Sequence, residues 1–354
     1  MKFVQLLLYI AGGALFALFT GTQNLQQEGW YNLLITALLV VGLYASTYGI
    51  DIKEARQHVR IIVSAVTLGV VMKALIIGAS LSWLFGDPFF FVLGVVVAQI
   101  DPLSVTWLMR GKRLSNKAKT ILASWASFDD PITVLLSLYV PLLVVQLTGS
   151  DIGTLTQTGG VSLTGYFRDI GLNIAFAAGV FLLWLLARYY AKKTSQWIVV
   201  AGAMLGYLAL VVVLSLSAMY FLMLGIALIG LFLRPRGISK TIDHVVVWAL
   251  RIAAVCIGLL LSNGIAIWKG IALGFAAYVA QIIVGFLITK GLQKRDRWHI
   301  AFAQQNGMTA IILALLFEPV QPGTVAIVTP AILVINGLHG AANHAIDKYV
   351  LVKT

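Results

Sequence analysis

Two aspartates stand side by side in Ala123-Ser124-Trp125-Ala126-Ser127-Phe128-Asp129-Asp130-Pro131-Ile132-Thr133, inside a run from 120 to 147 that is otherwise almost wholly apolar. The run is long enough to cross a bilayer. One aspartate at the centre of such a span costs roughly 2.5–3.5 kcal/mol. Packing does not require that cost, so the pair is a functional site by default and must face protein or water. Neighbouring helical positions differ by about 100° around the axis. Asp130 therefore shares its face with Ala123, Ala126 and Ser127, small residues that let another backbone approach. Asp129 shares its face with Trp125 and Thr133, so it is expected to look away from that crossing, toward a counter-charge. Two carboxylates with the Ser127 and Thr133 hydroxyls are hard oxygen ligands, suited to a monovalent cation. Adjacent carboxylates also titrate as a coupled set, so protons and cations would compete for one site.

Two further polar interruptions fall at the depth of the pair. The first is Ala98-Gln99-Ile100-Asp101-Pro102. Proline removes a backbone donor and disfavours helix at the residue before it, which predicts a break at the buried Asp101. Such a break is tolerated in a membrane only against protein or a water-filled cavity. The second is Ala303-Gln304-Gln305-Asn306-Gly307. Each reads Ala-Gln-x, then an acid or its amide, then a helix breaker. Interrupted spans at matching positions of two halves are the sequence pointer to a transporter binding site.

The elements that must position these groups follow from composition. The chain has 354 residues, 60% hydrophobic and 11% charged, with a mean hydropathy of +0.94. That is far from the roughly 25% charged residues of a soluble domain, and it describes an all-α polytopic membrane protein. About twelve spans are expected, at 3–20, 30–49, 61–82, 88–109, 120–147, 169–188, 196–215, 218–233, 243–262, 265–289, 298–317 and 322–346. With the N-terminus inside, 21 of the 25 basic residues fall at inner ends and loops, as the positive-inside rule demands. Both termini are then cytoplasmic, and the net charge of +12 is a topology signal implying no nucleic-acid partner. By the same count the two interrupted spans, the fourth and the eleventh, run in opposite directions. Lys73, Arg251 and Gln281 are the other polar side chains near span centres. A lysine stem in lipid with its head at the interface accounts for Lys73 as well as a buried role does. Arg251 is expected to face a carboxylate or water. The single Cys256 excludes an internal disulfide, and five histidines without ligand spacing argue against a resident metal site. No nucleophile motif or phosphate loop points to an enzyme, and no cofactor is expected.

Taken together, Asp129-Asp130, Asp101-Pro102 and Gln305-Asn306-Gly307 resemble the cation:proton antiporter superfamily over essentially the whole chain, as does the Gly49-Ile50-Asp51 ending of the second span. The resemblance implies an inverted-repeat antiporter fold with two broken, crossing helices, spans 4 and 11. It implies ion-binding core repeats at 58–147 and 265–346, scaffold and dimerisation helices at 1–57 and 196–264, and a linking span within 148–195. In such a protein Asp130 carries the cation or proton, Asp129 is the first acid of the pair, and Asp101 shapes the site with Asn306 and Gln305. Activity would be exchange of protons for sodium by alternating access with an elevator-like core, in a homodimeric cell-membrane protein serving pH homeostasis. Potassium/proton exchange and sodium-coupled symport of an organic anion are the alternatives. One departure stands out: the electrogenic branch usually carries a lysine in the tenth span, where this sequence has Gln281. Arg251 is the expected substitute, with Lys73 the other candidate.

Overall fold

The computed structural model describes residues 3–22, 25–50, 52–102, 108, 114–148, 163–191, 197–235, 237–262, 264–346 and 348, and among them the regular structure is helical. The helices are α1 (Phe3–Thr20), α2 (Tyr31–Tyr48), α3 (Ile52–Gln57), α4 (Val59–Phe85), α5 (Phe90–Ala98), α6 (Asn116–Thr148), α7 (Leu163–Ala191), α8 (Trp197–Met219), α9 (Met223–Gly230), α10 (Ile238–Leu261), α11 (Ile267–Ile288), α12 (Lys294–Ala301), α13 (Met308–Phe317) and α14 (Thr324–Ala345). Within long unbroken apolar runs, a helix satisfies every backbone group inside the segment, as lipid requires. Six described helices, α2, α4, α7, α10, α11 and α14, are long and apolar enough to cross a membrane along all or most of their length. Of the other expected spans, the first, fifth, seventh and eighth map onto α1, α6, α8 and α9. The fourth becomes α5 and a non-helical stretch from Gln99, and the eleventh becomes α12, a gap and α13. Arg110, Lys112 and Arg113 of the expected inner loop, and most of the 148–168 loop, lie outside the described residues.

Two sets of packed helices surround the interruptions. In one, α4 packs on α5 and α11, α5 on α6, α11 on α12 and α14, and α12 on α6. In the other, α1 packs along α10, while α2 touches α8, α9 and α10. Glycines make the α1–α10 crossing close: a methyl on Gly258 would run into the Ile10 carbonyl, and one on Gly13 into that of Val255. The sets meet where α2 reaches α6 and α13, with Tyr31 donating from its hydroxyl to the Leu315 carbonyl at 2.8 Å. The long helix α7 packs chiefly on α9 and leaves most of its surface uncovered.

Glu318, at the end of α13, caps the start of α14. Its buried carboxylate accepts the Gly323 N–H at 2.9 Å and the Val325 N–H at 2.7 Å, donors a helix start leaves over. Glu318→Ala strands both, and is expected to cost about 1–3 kcal/mol, read as a lower thermal midpoint of the purified protein; Glu318→Gln should cost less.

Candidate functional site

Local sequence explains why the helices open here. α5 is nine apolar residues, all buried but Phe91, and it stops at Gln99, whose ψ of 154° is already extended. Pro102 would clash with helix at Asp101. On the other side α12 ends at Ala301, residues 302–307 are non-helical, and α13 resumes after Gly307. The two open segments are bonded to each other. The Asp101 N–H donates to the Gln305 carbonyl at 2.9 Å. Gln304 points its amide nitrogen at the carbonyls of Val97 (2.8 Å) and Gln99 (2.9 Å) and at Asn306 Oδ1 (2.8 Å). Asn306 Nδ2 also reaches the Val97 carbonyl, at 3.1 Å. Carbonyls freed by ending α5 are thus answered by amides from the other segment, which meets the demand for internal partners in a membrane. A side chain on α14 holds the second segment from behind. Asn336 accepts the Asn306 N–H at 3.1 Å and returns its own N–H to the Asn306 carbonyl at 2.9 Å.

α6 brings one acid to each segment. Asp129 Oδ2 accepts the Ile100 N–H at 2.8 Å, at the first break. Asp130 Oδ2 accepts the Thr309 hydroxyl at 2.8 Å, in the first turn after the second break. The expectation that only Asp130 meets the crossing is corrected here. The 100° between neighbours separates the acids, but two broken segments flank α6, so each acid finds one. Both carboxylates are buried, as is Asp101. The charges close enough to act on Asp130 are negative at Asp101 and Asp129 and positive at Lys73. Pro131 has no N–H for the Ser127 carbonyl, so α6 lacks one regular helical hydrogen bond beside the acids. Thr133 Oγ1, Asp130 Oδ1 and Gln305 Oε1 are buried oxygens with no hydrogen-bond partner among the described residues. Ser127 is buried on α6 three residues before Asp130.

The counter-charge is Lys73. Its ammonium lies 3.0 Å from Asp129 Oδ2 with both side chains fully buried, and 5.3 Å from the Trp125 ring centroid. It does not snorkel. α4 presents it just after a π-turn at Ala65–Gly69, an irregularity that recurs at functional sites. Arg251 is corrected: its guanidinium sits over Trp248 (4.7 Å) and Tyr9 (5.6 Å), on the α1–α10 side. Depth along a span was legible in the sequence, but the face it presents was not. Gln281 is buried too, but its amide donates to the Ile300 carbonyl at 3.2 Å, at the end of α12, and balances no carboxylate there. Arg251→Ala is therefore expected to leave the pH profile of transport unchanged, measured in sealed vesicles. Lys73, Gln304, Thr309 and Asn336 complete the site. Gln304 stands in the repeated Ala-Gln-x motif and Lys73 is a charge in an apolar span, so both carry a sequence signal; Thr309 and Asn336 carry none.

A family model described as the transmembrane sodium/hydrogen exchanger matches residues 2–335. Among solved structures, the chain is similar to the sodium proton antiporter MjNhaP1 from Methanocaldococcus jannaschii at 16% identity. That match covers 95% of this chain and 98% of the other, with a TM-score of 0.63.

Proposed function

The chain belongs to the sodium/hydrogen exchanger family, proton-coupled exchangers of monovalent cations, and we propose that it carries proton and cation in turn on Asp130, with sodium as the cation. One observation carries this: Asp130 is buried beside the second open segment, with Oδ2 on Thr309 and Oδ1 accepting nothing among the described residues. An ionised carboxylate short of partners in low dielectric is costly. A proton on it or a cation against it relieves that cost, and the two exclude each other. A hard cation takes oxygen ligands. The Thr133 hydroxyl, the Ser127 carbonyl and the Gln305 side-chain oxygen supply the kind required. Reorientation of the elevator-like core then requires Asp130 to be neutralised, which couples the two fluxes. A site lined by three carboxylates disfavours an organic anion.

The distribution of basic residues supports cytoplasmic termini, and family membership supports a homodimer; labelling of single introduced cysteines and cross-linking in the membrane would test them. The function is tested with purified protein in sealed vesicles carrying a pH gradient, to which sodium, lithium and potassium are added in turn. Sodium or lithium should dissipate the gradient. If no monovalent cation moves protons through folded protein, the exchanger reading is wrong.

A further inference from the structure

We infer that the start of α4 binds an anionic phospholipid, with its phosphate held between Arg56 and Arg60 and one acyl chain on each side of a ridge formed by Val59, Val63 and Thr67. The ridge follows from helical spacing, since these residues are four apart and share one face. Ile62 and Val66 fall to one side of it, Ser64 and Leu68 to the other. On the first side is a cavity of about 280 Å³, and Arg56 of α3 stands in its wall. On the second is an open groove of about 430 Å³, and Arg60 stands in that wall. The two hollows share the ridge itself. Each is an apolar trough with one guanidinium.

The chemistry of the walls selects the occupant. Val59 and Val63 are each 52% exposed and Leu68 62%. The Thr67 hydroxyl donates to the Val63 carbonyl at 2.6 Å, so its polar atom is already satisfied within the helix. Such walls favour hydrocarbon over water. Arg56 and Arg60 are exposed, and among the described residues neither has an ion pair or a hydrogen bond. A phosphate suits them, because the planar guanidinium can hold two of its oxygens at once. One phosphate carrying two chains, astride one ridge and between two arginines, meets all of these demands in a single molecule. A fatty acid would fill one trough only, and a free phosphate neither.

The cavity lies on the seam between the two sets of helices. Ile50, just after α2, and Leu231, just after α9, close it from one set, while Val66 and Phe128 close it from the other. Arg234 ties Ile50 in place, donating to its carbonyl at 2.9 Å. Phe128 immediately precedes Asp129 on α6, and Val66 belongs to the π-turn that leads to Lys73. An acyl chain lodged here touches the acid-bearing helix and the opposite set at once. Its presence would be felt where the two must slide if the core moves; that consequence, unlike the binding itself, rests on the carrier reading proposed above. With the termini cytoplasmic, both arginines lie at the leaflet that carries the anionic lipid.

The test is the thermal midpoint of the purified protein in detergent as dioleoyl phosphatidylglycerol or dioleoyl phosphatidylcholine is titrated in. Wild type should gain more from phosphatidylglycerol. Arg56→Gln combined with Arg60→Gln should need roughly tenfold or more of that lipid for the same gain. Lys240→Gln combined with Lys294→Gln removes the same charge from exposed positions elsewhere and should behave as wild type. Ala55→Trp fills the cavity, leaves both arginines and should lose the preference too; where it fails to fold, the arginine pair decides. Equal gains from the two lipids in wild type, or an arginine variant that matches its charge control, would overturn the site. A preference retained by folded Ala55→Trp would remove the chain from the cavity. Oleate and inorganic phosphate are also added singly, and full gain from either would overturn the two-chain occupant. In vesicles, sodium-driven exchange should vary with the phosphatidylglycerol fraction in wild type and not in the arginine variant; equal dependence in both would overturn the link to movement. Should wild type show no exchange, the carrier reading fails by itself, and the midpoints still decide the lipid site.

Discussion

Asp130→Asn is expected to reduce cation-driven proton movement to the level of protein-free vesicles. The amide keeps the shape and one oxygen, and the Thr309 hydroxyl 2.8 Å away still has an acceptor. The variant should therefore fold, which makes the result interpretable. It cannot take up a proton or neutralise a cation, so neither half of the cycle has a carrier. Asp129→Asn should behave differently. Its remaining oxygen can accept the Ile100 N–H, but the Lys73 ammonium loses its partner. Some exchange should survive, with weaker dependence on membrane voltage and a lower thermal midpoint. Paired assays at zero and imposed potential separate the two. A dead Asp129→Asn beside an active Asp130→Asn would sink the assignment of the carrier.

The second large effect is at Lys73. Lys73→Met leaves Asp129 buried, ionisable and without its counter-charge, a change that typically costs about 3–5 kcal/mol. Removing both members is expected to cost much less than the sum, because a buried pair replaced by apolar groups can be neutral. Lys73→Met combined with Asp129→Leu should thus recover at least about 1 kcal/mol relative to additivity, measured by denaturation in detergent. The double variant still lacks the ligand on the Ile100 N–H, so recovery of stability without full transport is the expected pattern. Additive losses would mean that the 3.0 Å contact contributes nothing.

The carboxylates were readable because charge in an apolar run is costly wherever it points. Asp101 and Asn306 were readable because a proline or glycine beside a polar residue breaks a span. What a single span does not reveal is its azimuth. Lys73 and Arg251 are both cations near the middle of apolar helices, yet one faces Asp129 and the other two aromatic rings. The same gap limits the reading of Asp129: the break at Ile100 is legible, but that Asp129 turns toward it is not. Ligand spacing along the sequence is likewise blind to Asn343 of α14 reaching His299 of α12.

The two open segments are held by the same device, one side-chain oxygen from the next span accepting a backbone N–H: Asp129 for Ile100, Asn336 for Asn306. The materials differ. An amide's grip does not change with proton or cation, whereas a carboxylate's grip depends on what else competes for its lone pairs. The crossing is therefore a joint with one fixed bearing and one adjustable one. Load applied at the acids would loosen the α5 side first and leave the α13 side as the pivot. Asn336→Asp would make both bearings adjustable, and such a protein should lose the tightness of coupling before it loses the capacity to bind.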